Sequence, residues 1–224
     1  MTQIKYVFWD SDNTLVDTAT HHWNKHLHTL KDHYGIDLDP KYMDRIYTNN
    51  GAQNWDWLSK ELGLSADKET YLDQIDQWYF DHIDQIAIRD GILEALEQCQ
   101  ADGLQQAVVS NGRRRSVMAA QNGKSLTDYF AFILCKEDYE GRKPDPAPYT
   151  AALKRMEEVC GSKIDPQTCL VIEDDPKGVE AGHAAGMMTL HRRLSYDQPV
   201  AIKADATAFS GDEFLSELYK LTKG

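Results

Sequence analysis

Cysteine is sparse in this chain: four residues in 224, with Cys99, Cys135, Cys160 and Cys169 each standing alone. That excludes a disulfide-built scaffold and the paired spacing of a structural zinc site, so free thiols are expected. Long apolar runs are missing too. No stretch approaches the roughly 20 residues that a spanning helix needs. The opening Met1-Thr2-Gln3-Ile4-Lys5 passes straight into Tyr6-Val7-Phe8-Trp9, with Asp10 and Asp12 just behind, which is the wrong form for a cleavable signal peptide. The chain therefore reads as cytoplasmic, with no membrane partner. Positive charge is in deficit: 24 Lys and Arg stand against 36 Asp and Glu, a formal charge of −12. Nucleic acid is disfavoured as a partner, because phosphate backbones are held by clustered Lys and Arg. The same deficit means that a phosphorylated small substrate needs a local cation to enter.

What is present is ordinary for a globular protein, at 42% hydrophobic and 27% charged residues, neither a disordered tail nor a membrane chain. The length suits one large domain, or one domain carrying an insert. Short β-prone apolar runs recur at Ile4–Trp9, Gln106–Val109, Phe130–Leu134 and Cys169–Ile172, and read as buried parallel strands. Between them lie helical spacings, Ile92-Leu93-Ala95-Leu96 before Gly103 and Tyr149-Ala152-Leu153-Met156 after Pro146 and Pro148. Alternating strand and helix predict an α/β fold with a Rossmann-like, mainly parallel sheet. From Asp17 to Ala87 apolar residues recur only at helical spacing, with breaks at Gly35 to Pro40, Gly51 and Gly63 to Ala66. An all-helical block directly after the first strand reads as an insertion. The expected organisation is a core of 1–16 and 88–224 with a helical cap domain, 17–87, over the carboxyl ends of the strands, where open α/β sheets bind ligands. Nothing in the sequence sets the oligomeric state.

The polar residues of interest sit just after apolar strands: Asp10 and Asp12 after the first, Ser110 and Asn111 after the second, and Glu173, Asp174 and Asp175 after the fourth. Topology brings them to one edge of the sheet. Lys143 falls in a loop before a helix that packs against those strands. Four segments, Asp10-Ser11-Asp12-Asn13-Thr14-Leu15, Val109-Ser110-Asn111-Gly112, Lys143-Pro144-Asp145-Pro146 and Glu173-Asp174-Asp175-Pro176-Lys177-Gly178, resemble the four motifs of the haloacid-dehalogenase-like superfamily, in order along essentially the whole chain. The helical insert between the first and second motifs is similar to the branch that contains phosphoglycolate phosphatases and β-phosphoglucomutases. Asn13 stands where the first motif often has Gly, and Asp175 where the fourth often has Ser. Neither departure removes a catalytic group, so they bear on subfamily rather than on reaction.

A phosphate ester needs a nucleophile, a proton donor for the leaving alcohol, and positive charge against the equatorial oxygens. Asp10 can supply the nucleophile through a covalent aspartyl phosphate. Asp12, two residues on, returns to the same side of an extended chain and can serve as general acid, then base. Two carboxylates repel a phosphate unless a cation intervenes; Asp10, the backbone carbonyl of Asp12 and Asp174 offer the hard oxygens that Mg²⁺ prefers, with Glu173 and Asp175 behind them or acting through water. Ser110 and Asn111, opening a helix with Gly112, can cradle phosphoryl oxygens at the positive end of its dipole. Lys143 supplies a point charge that holds Asp10 ionised and binds the phosphoryl group.

Weaker features have plainer readings. Arg113-Arg114-Arg115 reads as a solvated helix face. His22 and His26 share a face of the first helix of the insert, but no acid or Cys completes a zinc site. Trp55 and Trp57 read as core. By resemblance His22, after Asp17-Thr18-Ala19, matches a β-phosphoglucomutase position that couples cap closure to substrate binding. The mutase cap also carries an arginine shortly after a Gly, whereas Gly51-Ala52-Gln53-Asn54 ends in Asn54, which argues against mutase activity. The expected function is a Mg²⁺-dependent phosphatase of a small phosphorylated metabolite. The alternatives are a phosphoglucomutase-type phosphotransferase and, from a different class, a non-catalytic phospho-accepting or binding protein. Dehalogenase chemistry is disfavoured because it does not use Asp12.

Overall fold

The computed structural model describes residues 3–223. In chain order the strands and α-helices are β1 (Tyr6–Trp9), β2 (Val16–Asp17), α1 (Ala19–Tyr34), α2 (Met43–Thr48), α3 (Gly51–Glu61), α4 (Lys68–Asp81), β3 (Ala87–Ile88), α5 (Ile92–Ala101), β4 (Gln105–Val109), α6 (Arg114–Gly123), β5 (Phe132–Leu134), α7 (Ala147–Cys160), β6 (Cys169–Glu173), α8 (Pro176–Ala184), β7 (Met188–Arg192), β8 (Ala206–Ala208) and α9 (Gly211–Lys223). The chain divides into two compact units, 1–16 with 88–224, and 17–87.

The first unit is a six-stranded sheet in the order β5-β4-β1-β6-β7-β8. Its pairings are parallel. This is the Rossmann-like α/β architecture that the alternation of runs predicts. With β1 central, Trp9 registers with Val108 on one side and Ile172 on the other, so Asp10, Ser110 and Asp174 emerge at the same edge. The strand pleat sends Phe8, Ala107, Val109, Cys169 and Val171 into one core with Tyr149, Ala152 and Met156 of α7. Trp9 faces the other way, edge-on to Phe214 of α9 at 6.2 Å. Its buried indole N–H needs an acceptor. Gln106 Oε1 provides it at 3.0 Å and passes its own amide N–H to the Leu96 carbonyl at 3.1 Å.

Two departures from the sequence reading have physical causes. The apolar run from Phe130 yields only the three-residue β5, because a 3₁₀ turn at Thr127–Tyr129 delivers the chain late to the sheet edge. Strands β7 and β8 are not visible as apolar runs, because β7 carries Thr189, His191 and Arg192 fully buried and β8 is only three residues. Those polar groups have partners inside: Thr189 N–H and Oγ1 bond Asp205, and Arg192 reaches the Asp90 and Ser210 carbonyls.

The second unit is helical, with a core of Trp23, Leu30, Trp55, Leu58, Tyr71 and Ile75. Gly35 ends α1 in the left-handed region, as a C-terminal glycine does. The helical block breaks between Thr48 and Gly51, where Asn50 and Gln53 form a reciprocal capping box at the start of α3. No helix among the described residues is long and apolar enough to cross a membrane.

Candidate active site

The loop after β1 closes on itself. Leu15 and Val16 N–H both bond the Ser11 carbonyl at 3.0 and 3.3 Å, and Asn13 N–H bonds the Val16 carbonyl at 2.7 Å. Asn13 sits at φ 60°, a left-handed position that Asn tolerates better than most side chains, which explains Asn where Gly is common. Asp10 is thereby fixed at the end of the strand, its N–H bonded to the Ile172 carbonyl at 2.9 Å. Thr14 Oγ1 reaches across to Asp174 Oδ1 at 3.2 Å.

Lys143, buried, is the centre of the charge arrangement. Its ammonium donates to Asp10 Oδ1 at 2.6 Å and to the Val109 carbonyl at 2.7 Å. It also pairs with Glu173 Oε1 at 2.5 Å and lies over the Tyr149 ring at 5.0 Å. Burial alone would push this lysine down; Asp10 and Glu173 outweigh it and hold the ammonium well above its ordinary value. Tyr149 donates its hydroxyl to the same Glu173 oxygen at 2.7 Å.

Asp10, Glu173 and Asp174, all buried, bring one oxygen each within 4.8 Å of one another. Burial first, then Glu173, lift the Asp10 carboxyl to about 8 in spite of Lys143. Burial, Asp10 and Glu173 likewise hold Asp174 well above the usual carboxylate range. Three carboxylates facing one cation leave negative charge uncompensated, so hard-oxygen donors of this kind fit a divalent ion such as Mg²⁺. Gly178 makes the cluster possible: a Cβ there would run into the Glu173 carboxyl carbon and both its oxygens. Asp175 stands apart, exposed, its Oδ1 accepting the Lys177 N–H at 2.9 Å as the cap of α8.

The phosphate-loop geometry corrects the sequence reading. Ser110 and Asn111 do not open the helix, whose first residue is Arg114. The Arg114 N–H already meets the Glu137 carboxylate at 3.0 Å, so the positive end of that dipole is taken. Ser110 Oγ accepts the Gly112 N–H at 2.9 Å and lies 3.5 Å from Asp12 Oδ2. Tyr139 donates to the Ser110 carbonyl at 2.6 Å. In a trans peptide plane the N–H opposes the carbonyl, so the Asn111 N–H points away from Tyr139. The Asn111 side-chain oxygen accepts from Lys143 N–H at 3.3 Å.

In the helical unit, His22 stacks on Tyr79 at 5.7 Å. Asn54 is almost fully buried; its amide nitrogen bonds the Ile46 and Asn49 carbonyls and its oxygen accepts from Trp57 Nε1 at 3.0 Å. Trp55 and Trp57 lie in that unit's core.

Sequence reasoning missed Tyr149, Tyr139, His191 and Gln198. Tyr149 counted only as an apolar helix position, and the other three lie outside every apolar run. Only Gly178, inside the fourth segment, carried a signal, as a small residue beside the acids.

Residues 7–191 match the sequence profile of the haloacid dehalogenase-like hydrolases. The chain is 25% identical over 228 residues to the 6-phosphogluconate phosphatase of Escherichia coli K12, covering 98% of this chain and 96% of that one. It is 26% identical over 205 residues to the N-acetylmuramic acid 6-phosphate phosphatase of Pseudomonas aeruginosa, covering 88% and 85%. A crystal structure of a candidate β-phosphoglucomutase from Thermotoga maritima has the same fold, with a TM-score of 0.86 at 21% identity over 97% of this chain and 100% of the other.

Proposed function

The chain belongs to the haloacid dehalogenase-like hydrolase family and is a phosphatase, and from that premise we propose that it hydrolyses a small phosphorylated sugar or sugar acid through an aspartyl phosphate on Asp10. The observation that carries this reading is the buried convergence of Asp10, Lys143, Glu173 and Asp174 at the carboxyl edge of the sheet. The relatives named for sugar-acid and amino-sugar-acid phosphates support this choice of substrate class.

In the first step the Asp10 carboxylate attacks phosphorus. The bond to the ester oxygen breaks, and the departing alkoxide takes a proton from Asp12. In the second step Asp12, now a carboxylate, takes a proton from a water that attacks the acyl phosphate, releasing inorganic phosphate and restoring Asp10. Lys143 favours the ionised form of Asp10 against its burial and offsets charge on the phosphoryl oxygens, while Ser110 and the Asn111 N–H bind those oxygens. Asp10, Asp174 and the backbone carbonyl of Asp12 would hold Mg²⁺, which when bound would neutralise carboxylate and phosphoryl charge that Lys143 alone does not. Glu173 steadies Lys143. We assign choice of the leaving group to the helical unit 17–87, read as the cap. There Asn54 is spent on internal hydrogen bonds, and His22 is the candidate for substrate contact that the resemblance names. The unpaired thiols suit a reducing, cytosolic compartment.

The test is a screen of sugar phosphates, sugar-acid phosphates and nucleotides with the wild-type chain and Asp10→Asn, following both free phosphate and isomerised sugar phosphate. Phosphate release lost in Asp10→Asn, with the circular dichroism spectrum kept, supports the reading. Isomer without phosphate release would assign a mutase, and turnover by Asp10→Asn would remove the nucleophile.

A further inference from the structure

The β6–β7 ladder ends at the pair Glu173 and His191. The next carbonyl, that of Asp174, therefore has no strand partner, yet a buried carbonyl without a donor is costly. Two side chains supply donors. His191 Nδ1 accepts the Ala201 N–H at 3.1 Å, which fixes the proton on Nε2 of the neutral ring. That Nε2–H donates to the Asp174 carbonyl at 3.0 Å. Gln198, in the β7–β8 connection, adds a second bond to the same oxygen at 2.8 Å, with its own amide oxygen held by the Leu194 N–H at 2.5 Å. Both lone pairs of one carbonyl are satisfied, and with Thr14 on the carboxylate the residue is held from backbone and side chain together.

We infer that His191 and Gln198 are positioning residues that set the affinity of the acidic site for its cation, by fixing the Asp174 peptide so that its carboxylate faces Asp10 and Glu173. The inference rests on the reading of Asp10 and Asp174 as cation ligands. Neither residue touches the reacting atoms; each acts through Asp174. Groups that orient a metal ligand from behind typically change metal affinity by about 10- to 100-fold when removed, because the ligand must then be ordered at the moment of binding.

The experiment measures Mn²⁺ binding to the full chain by counting free ion with electron paramagnetic resonance, and Mg²⁺ binding by calorimetry, without substrate. Gln198→Met and His191→Leu should each weaken binding by about tenfold. His191→Gln, which can still donate to the carbonyl, should recover most of the loss. Gln198 is half-buried in an otherwise exposed loop, so its variant keeps the test open if His191→Leu does not fold; unfolding in cation-free buffer, read in parallel, should be unchanged for Gln198→Met. Wild-type affinity in both Gln198→Met and His191→Leu, with binding lost in Asp174→Asn, overturns the inference and leaves the site standing. Wild-type affinity in Asp174→Asn overturns the cation site, and the inference with it.

Discussion

The Lys143 ammonium lies 2.6 Å from Asp10 Oδ1, with both side chains nearly out of solvent. The same ammonium neutralises Glu173, so two buried carboxylates depend on one cation. Removing one partner of a buried pair leaves an uncompensated charge and costs about 3–5 kcal/mol. Lys143→Met is expected to abolish turnover and to lower stability by that amount, read by urea unfolding of the variant beside wild type. Lys143→Arg should not restore activity, because a planar guanidinium cannot meet Asp10, Glu173 and the Val109 carbonyl from one point. Full turnover by either variant would remove Lys143 from its role.

Asp12 and Asp10 are separated by their leaving-group dependence. A good leaving group departs without a proton, so Asp12→Asn should slow phosphoenzyme formation far more for an alkyl phosphate than for p-nitrophenyl phosphate. The measurement is the transient rate of the first step, since Asp12 also serves the second. Equal losses would mean that Asp12 only shapes the loop.

Cation and pH act on the same carboxylates. Burial and Glu173 raise Asp10 from 3.8 to about 8, and Asp174 moves the same way. Between these values the folded, cation-free protein binds more protons than the unfolded chain, so this contribution to stability falls as pH rises through that window. Lys143 is raised above 10.5, and its contribution is lost only at higher pH. A divalent cation replaces those protons. The increase in melting midpoint on adding Mg²⁺ should therefore be larger near the top of the window than near its bottom. An increment independent of pH would contradict the assignment, and full activity after exhaustive chelation would remove the cation from the reaction.

Gly178 leaves the space that the Glu173 carboxylate occupies. Gly178→Ala must push Glu173 away from Lys143 and Tyr149 or shift α8. The expected outcome is a loss of activity together with about 1–3 kcal/mol of stability, the usual cost of forcing extra volume into a packed interior. Unfolding and steady-state rates of this variant check it, and wild-type values in both would show that the helix yields freely.

The sequence by itself determined the parallel sheet, because four apolar runs alternating with helical spacing have few other solutions, and it pointed to the acids because each stands directly after such a run. Local pattern could also say that Asn13, Gly35 and Gly178 are special, since backbone freedom and small size are properties of the residue. Only the tertiary structure decided that Glu173 shares Lys143 with Asp10, that the α6 terminus is taken by Glu137, and that β7 hides polar residues in the core. Lys143 and Asp10 are 133 positions apart, and His191 and Asp174 meet only because β6 and β7 pair in one register. Such contacts depend on how whole elements pack, and polar residues that support a site from behind follow no spacing along the chain. That is why Tyr139, Tyr149, His191 and Gln198 become visible only once the sheet is assembled.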